Sequence, residues 1–313
     1  MNLFHKSRKL RYYSAGLLTL LAPDRLFRYR LERILAGYRG QALDDVLDRV
    51  EYYNKCQSPF TLDVRAQRVA DFRYERRGTY YLDTKSVVRH FDPECRFAYR
   101  FGDVTRVPEV PTFVKSRPID GDNANAVLLK LNQIRHYNFV DDPQPFERKR
   151  TAVVWRGKCF HDQRRAVIQR LHDTPGMDIG QTDPKRKAQA DYRPFMAIRD
   201  QLNYKFVLSL EGKDVATNLK WIMASNSLCF MPRPRFETWF MEGRLEPWRH
   251  YVPLRDDCAD IEEKMDYYAT HTDEALEIIA NAQRHVAQFK DRQRERLVSL
   301  LVARKYFELS GQL

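Results

Sequence analysis

The sequence has little to cross-link with. Its five cysteines (Cys56, Cys95, Cys159, Cys229 and Cys258) are odd in number and contain no Cys-x-x-Cys pair. That excludes a disulfide scaffold and a zinc ribbon, and reads as reduced, mostly packed thiols of a cytosolic chain. No apolar window reaches about 18 residues, which excludes a membrane-crossing helix. Internal repeats and low-complexity linkers are also missing. Acidic charge is short: 42 Asp and Glu against 54 Lys and Arg leave a net +12. Such an excess predicts anionic company, whether nucleic acid, nucleotide phosphates or an acidic membrane face. What is present is ample for a large core. The 313 residues are 43% apolar and include 18 Phe, 17 Tyr and 4 Trp, which argues for two domains and against wholesale disorder.

The charge is uneven. Residues 1–40 hold nine basic side chains (Lys6, Arg8, Lys9, Arg11, Arg25, Arg28, Arg30, Arg33, Arg39), opposed only by Asp24 and Glu32, so +7 of the +12 lies there. Between them runs an apolar stretch from Tyr12 to Ala22. Basic residues before a short apolar run resemble a secretory signal, but Pro23-Asp24-Arg25 follows in place of a small-residue cleavage site. Phe27, Leu31, Ile34, Leu35 and Tyr38 then keep helical spacing. Two readings stand: an element lying on an anionic membrane surface, where each basic side chain contributes about 1 kcal/mol, or an amphipathic helix docked on its own domain.

Further along, Pro93, Pro108, Pro111 and Pro118 punctuate short apolar runs, and Arg96–Phe101 alternates as a strand ended by Gly102-Asp103. The polar stretch 141–150 reads as an interdomain link. Beyond it the rhythm changes. Strands are expected at 151–155, 205–210, 227–231 and 250–254, with helices at 164–171 and 215–224. Alternation of this kind predicts a parallel sheet covered on both faces. Ligands of such sheets bind beyond the carboxyl ends of the strands, so the loops starting at Arg156, Glu211 and Pro232 are the first places to look. The tail from Thr272 to Phe307 reads as helical, with Leu297, Leu300, Leu301 and Tyr306 as packing residues.

Seven segments in one order carry a resemblance. They are Phe101–Thr105 (FGDVT), Val114–Ile119 (VKSRPI), Arg135–Asp142 (RHYNFVDD), Val154–Gly157 (VWRG), Leu210–Trp221 (LEGKDVATNLKW), Phe236–Gly243 (FETWFMEG) and Trp248–Pro253 (WRHYVP). Together they resemble glycosyltransferase family 90, the family of bacterial lipopolysaccharide A proteins, fungal capsule-associated proteins and Rumi-type protein O-glucosyltransferases. The likeness spans about residues 80–310 and is nearest the lipopolysaccharide A branch. It implies an α/β, GT-B-like fold: two Rossmann-like domains facing a cleft, with C-terminal helices packing across. The division expected is a basic amphipathic segment (1–40), an acceptor-side domain (41–146), a nucleotide-sugar-binding domain (147–290) and a C-terminal helix returning to the first domain (291–313). The chemistry implied is inverting transfer from a nucleotide sugar, usually a UDP-sugar, without a metal or other cofactor.

Inversion needs a base for the acceptor hydroxyl and neutralisation of the departing diphosphate. Asp103, after a strand and a glycine, is either a turn aspartate capping its own backbone or, as the resemblance implies, that base. Asp141 and Asp142 are the fallback. For the donor, Arg156 and Gly157 close the first strand of the second domain, where a guanidinium fork and close backbone approach suit phosphate. Arg164 opens the next helix and matches a family arginine. Glu211 and Gly212 end another strand, Glu211 as an acceptor for ribose hydroxyls. Ala216, Thr217 and Asn218 would present N–H groups at a helix N-terminus, with Lys220 the nearest cation. Lys115 and Arg117 are either a solvated pair or diphosphate ligands. Two departures from Rumi-type members stand out. Lys158, Cys159, Phe160 and His161 replace small hydroxyl residues, and Ala216-Thr217-Asn218 stands where they carry a serine and an arginine. His136 is a cleft or core histidine and His250 a structural one. Asp120-Gly121-Asp122 looks like a DxD metal site but does not end a nucleotide-binding strand.

The resulting expectation is a cytoplasmic hexosyltransferase, peripheral to the inner membrane, that moves a hexose from a UDP-sugar to a lipopolysaccharide or lipooligosaccharide core. Its partners would be the nucleotide-sugar donor, that acceptor and an anionic membrane surface, with no nucleic acid. A protein O-glucosyl- or xylosyltransferase and a non-catalytic nucleic-acid-binding module are the alternatives.

Overall fold

A computed structural model describes residues 3–36, 41–75 and 77–313. Tyr38 and Arg39 of the N-terminal pattern lie outside these residues, as do the side chains of Lys6, Arg8, Arg30, Leu31 and Leu35. Helices α1 (Leu3–Leu21), α2 (Asp24–Ala36) and α3 (Gln41–Tyr53) come first. Strands β1 (Gln67–Arg68) and β2 (Arg96–Phe97) bracket helix α4 (Gly78–Val88). Short strands β3 (Tyr99–Arg100), β4 (Thr112–Val114), β5 (Ser116–Pro118) and β6 (Ala126–Leu128) follow, then the single turn α5 (Gln133–His136). The next run is β7 (Arg150–Gly157), α6 (Asp162–Leu171), β8 (Met177–Gln181), α7 (Ile198–Gln201), β9 (Tyr204–Leu208), α8 (Leu219–Met223) and β10 (Leu228–Pro232). Strands β11 (Phe236–Thr238) and β12 (Val252–Leu254) precede helices α9 (Ile261–Thr270), α10 (Thr272–Ala287) and α11 (Arg292–Leu309).

The chain forms two units. Unit 1 takes Met1–Arg135, Phe236–Phe240 and Phe289–Leu313; unit 2 takes His136–Arg235 and Met241–Gln288. In unit 2, β12-β10-β9-β7-β8 form one all-parallel sheet. Val153, Val154, Phe206, Val207, Leu208 and Phe230 are fully buried, as unbroken apolar runs require when helices cover both faces. Helix α10 covers it with Ala275, Ile278, Ile279, Ala282 and Val286, all buried and spaced on one face. The parallel sheet read from the sequence is therefore present, with one strand added: β8, whose Met-Asp-Ile-Gly-Gln lacks an apolar run. In chain order the five strands lie 2-1-3-4-5, the flavodoxin-like order, with the topological switch between β7 and β9.

Unit 1 departs from the Rossmann-like expectation. Its parallel sheet is only β3-β4-β6, beside the antiparallel pairs β1-β2 and β11-β5. Proline punctuation keeps the strands short, and aromatic rings do much of the packing. Phe72 meets the rings of Tyr81, Phe97 and Tyr99 at 5.1–5.3 Å between centroids. Tyr306 of α11 packs on Phe113 at 4.4 Å, accepts from the Ala98 N–H at 3.1 Å and donates to the Pro111 carbonyl at 2.9 Å. The tail read as helical holds α10 and α11, and Asp291 caps α11 by accepting from the N–H groups of Gln293 and Arg294. Beside α11 lies a buried polar knot. Glu295 accepts from Arg49 at 2.6 Å, Lys130 at 2.6 Å and the Trp239 indole at 2.8 Å. Tyr53 stacks on Trp239 at 3.8 Å.

Helices α1 and α2 dock on α4. Asp24 pairs with Lys85 at 3.1 Å and Arg89 at 2.5 Å, and Arg89 lies 3.7 Å over the Phe27 ring. Tyr12 donates to Asp83 Oδ1 at 2.5 Å, while Oδ2 accepts from the Gln133 N–H at 2.9 Å. Burial pushes the Asp83 carboxyl up to about 7 against these hydrogen bonds. The folded protein therefore holds this proton after the unfolded chain has lost it. The stabilisation is whole below about pH 4 and is lost as pH rises to about 7, a change of up to about 4 kcal/mol. Asp83→Asn cannot titrate, so it should gain on the wild type across that window in urea unfolding at stepped pH. Parallel profiles for the two proteins would contradict the assignment.

Candidate active site

In unit 1, β3 and β4 are parallel neighbours. Asp103 stands three residues past the end of β3 and Lys115 one residue past β4, so both leave the sheet at its carboxyl end. Lys115 Nζ donates to Asp103 Oδ1 at 2.7 Å. The lysine side chain is buried and the carboxylate is 37% exposed. A charge-assisted bond thus fixes one oxygen from below and leaves the group presented to solvent. Gly102 makes the turn with φ +109, and a Cβ there would lie 2.1 Å from Arg77 Nη1. Arg77 donates to the Phe101 carbonyl, and Ser116 Oγ accepts from the Val104 N–H at 3.2 Å, closing the loop. Sequence reading missed Arg77. No motif marks it, and its contact spans 24 residues.

The other expected groups of unit 1 are placed differently. Arg117 is a correction: its guanidinium is fully buried, donating to Glu237 at 2.7 Å and to the Tyr52, Tyr53 and Ala126 carbonyls. Its guanidinium is spent on four internal acceptors and holds β5 to β11. Lys115 is likewise turned to Asp103. Asp120 and Asp122 lie exposed in the turn between β5 and β6, Asp122 accepting from the Ala124 N–H.

In unit 2 the switch point sets the geometry. The loops after β7 and β9 diverge there, and Arg164 ties them together. It donates to the Leu210 carbonyl at 2.6 Å and to those of Glu211 and Lys158 at 3.2 Å. Gly212 lies against the same guanidinium. Arg164 therefore shapes the loops. Arg156 is a correction. Its mostly buried side chain pairs with Asp178 and donates to the Asp178 and Pro194 carbonyls. Desolvation raises the Asp178 carboxyl, but hydrogen bonds from Tyr204 and Arg156 outweigh it and leave a net lowering. Gly157 is needed for packing: a Cβ would stand 2.8 Å from the Trp155 indole.

Glu211 takes a two-point contact from Arg235, through its N–H at 3.0 Å and Nε at 3.1 Å. The helix expected from Val215 begins only at Leu219 and runs five residues. Ala216 is buried, and Asn218 is used inside, donating to the Leu208 carbonyl and accepting from Ser209. Thr217 is half-buried. Lys220 is a further correction, fully buried and paired with Glu242. Of the fallback bases, Asp142 is buried under Lys149 at 2.8 Å and the Asn226 N–H at 2.8 Å, while Asp141 is exposed. His136 is buried, and His250 accepts from the Glu246 N–H. Burial lowers the His250 pKa. All five cysteines are buried and unbridged.

Exposed cations do stand at this end of the sheet. Lys158 follows β7, Lys213 follows β9, and Arg233 and Arg235 follow β10. Phe160, also exposed, lies beside Lys158. The Arg-Pro-Arg at 233–235 was legible, since the loop starting at Pro232 was marked in advance.

Comparison with known proteins bears on this geometry. Residues 126–294 match glycosyl transferase family 90; Asp103 and Lys115 precede that stretch. The chain is 47% identical over 280 residues to the O-glucosyltransferase LpsA of Dichelobacter nodosus, covering 90% of this chain and 87% of that one. It is 26% identical over 141 residues to human protein O-glucosyltransferase 3, covering 43% of this chain and 27% of that one. It is 26% identical over 118 residues to the O-glucosyltransferase rumi of Drosophila melanogaster, covering 36% and 28%. A family match over more than half the sequence and a near full-length relative at this identity place the chain in glycosyl transferase family 90, as a glycosyltransferase.

Proposed function

We propose that the protein transfers a hexose, glucose first among the candidates, from a UDP-sugar to a hydroxyl of a lipopolysaccharide or lipooligosaccharide core. The observation that carries this reading is the exposed Asp103 carboxylate seated on the buried Lys115 ammonium at the ends of parallel strands. Asp103 takes the acceptor's proton. The acceptor oxygen attacks the anomeric carbon from the side opposite the nucleotide. The bond from that carbon to the diphosphate breaks, and UDP leaves with the electron pair. The configuration inverts. The reading treats the two units as the lobes of a GT-B enzyme, unit 1 serving the acceptor and unit 2 the nucleotide.

On the donor side, the switch-point loops and their exposed cations neutralise the diphosphate without a divalent metal. Glucose is supported by the names of the relatives: the D. nodosus protein is an O-glucosyltransferase LpsA and the human one a protein O-glucosyltransferase. A cytoplasmic site of action fits the reduced, buried thiols.

Turnover of UDP-glucose against UDP-galactose on truncated core oligosaccharide, with the anomer of the product read by NMR, tests the reading. Retention of configuration, or loss of activity in EDTA, would remove the mechanism. For the donor site, each charge-assisted bond to phosphate contributes roughly 1.5 kcal/mol, so Lys158→Ala and Arg233→Ala should each weaken UDP binding about ten-fold in calorimetry. Unchanged affinity in both would move the diphosphate away from these loops.

A further inference from the structure

Helix α1 has two apolar faces, and the fold uses only one. The inner face carries Tyr12, bonded to Asp83, and Gly16, where a Cβ would stand 3.0 Å from Leu82. The carbonyls of Thr19 and Ala22 accept from Arg89. The outer face carries Leu10, Leu17 and Leu21, spaced seven and four residues apart, with Leu18 adjoining and Tyr13 at the edge, where its ring approaches Gly78 of α4. Leu10 is 70% exposed, Leu17 60%, Leu18 68% and Leu21 82%. Leu26 of α2 is exposed too. Among the described residues, six of the fifteen exposed large apolar side chains fall between positions 10 and 26. Exposed Lys9 and Arg11 flank the stripe on either side, and Arg25 stands beside Leu26. No Asp or Glu occurs before Asp24, and Asp24 is engaged by Lys85 and Arg89.

We propose that this outer face of α1, continued by Leu26, is a membrane-docking surface whose occupant is an anionic lipid leaflet. Leucines on one face with cations at both edges match the boundary between acyl chains and acidic headgroups, where such a helix lies flat. No helix among the described residues is long and apolar enough to cross a membrane, so the contact is peripheral. Charge selects lipid over a second copy of this chain. Pairing two copies through the stripe would bring the cationic edges of two helices together with no acid on α1 to offset them, on a chain already at +12. The inner-face bonds to α4 make the surface part of unit 1 and not a loose tail. The inference goes beyond the sugar reading and stands without it.

The test uses the full chain, co-sedimented with phosphatidylcholine vesicles or with phosphatidylcholine–phosphatidylglycerol vesicles. Wild type should bind the mixed vesicles, and added salt should weaken the binding. Leu17→Ser with Leu21→Ser should lower the partition coefficient by about a hundred-fold, roughly ten-fold for each leucine withdrawn from the acyl boundary. Lys9→Gln with Arg11→Gln should lower it several-fold on mixed vesicles only. Val64→Ser, at an exposed apolar site elsewhere, should bind like wild type. The substituted side chains are solvent-exposed, so thermal unfolding and the shift produced by UDP should stay unchanged, which separates a failed docking surface from a failed donor site. Equal vesicle binding by wild type and the leucine variant would overturn the proposal. So would a concentration-dependent dimer that the leucine substitutions dissolve.

Discussion

Asp103→Asn should lower kcat by about 10²–10⁴ and leave UDP affinity within about two-fold of wild type. The asparagine keeps an oxygen that can accept from Lys115, so the loop behind it is preserved while the capacity to take a proton is lost. The pair therefore separates chemistry from architecture. On the proposed mechanism Lys115 acts as a positioning residue, holding Asp103. Lys115→Met should lower kcat while leaving KM for the UDP-sugar nearly unchanged, because the lysine meets the carboxylate in unit 1. Single-turnover kinetics on the two variants, with UDP binding by calorimetry, reads both effects. An Asp103→Asn enzyme turning over near the wild-type rate would remove the base assignment while leaving the family placement untouched.

The largest expected loss of stability lies away from the chemistry. Glu295→Gln should cost about 3–5 kcal/mol, the range for removing one partner of a buried ion pair. Its carboxylate is the common acceptor for Arg49, Lys130 and the Trp239 indole. Gln keeps the shape but not the charge facing two buried cations. At roughly 2–4 °C per kcal/mol for a chain of this order of size, Tm should fall by about 10 °C. The double variant Glu295→Gln/Lys130→Met should recover part of that loss, since it withdraws one buried cation together with the charge that balanced it. A thermal scan of the single variant matching wild type would show that Glu295 is neutral in the fold.

The contrast between what could and could not be read beforehand follows from range. Strands β7, β9, β10 and β12 announce themselves because burial on two faces demands apolar runs, which are local. Strand β8 does not, since Ile179 is its one fully buried apolar side chain and neighbouring strands supply the rest. The fates of the basic residues were the hardest to read. Arg156, Arg117 and Lys220 look alike as candidate phosphate ligands, yet each meets a carboxylate 22 or 120 residues away. Nothing near them in sequence records that appointment. Asp103 was findable because a strand, a glycine and a carboxylate are consecutive. Its lysine was noticed too, but as a phosphate ligand, since the parallel pairing of β3 and β4 that turns it toward Asp103 is not a local property. At the N-terminus one face of α1 is docked on α4, while exposed leucines stand on the other.

Unit 1 is assembled from three stretches of chain, the last starting at Phe289. On the ribosome, then, the half holding Asp103 waits for residues 289–313, while every strand of the parallel sheet in unit 2 has already been synthesised. A chain terminated before Phe289 would possess every strand of unit 2 without the helix that completes unit 1. Vectorial synthesis thus makes α11 the last piece of unit 1 to become available.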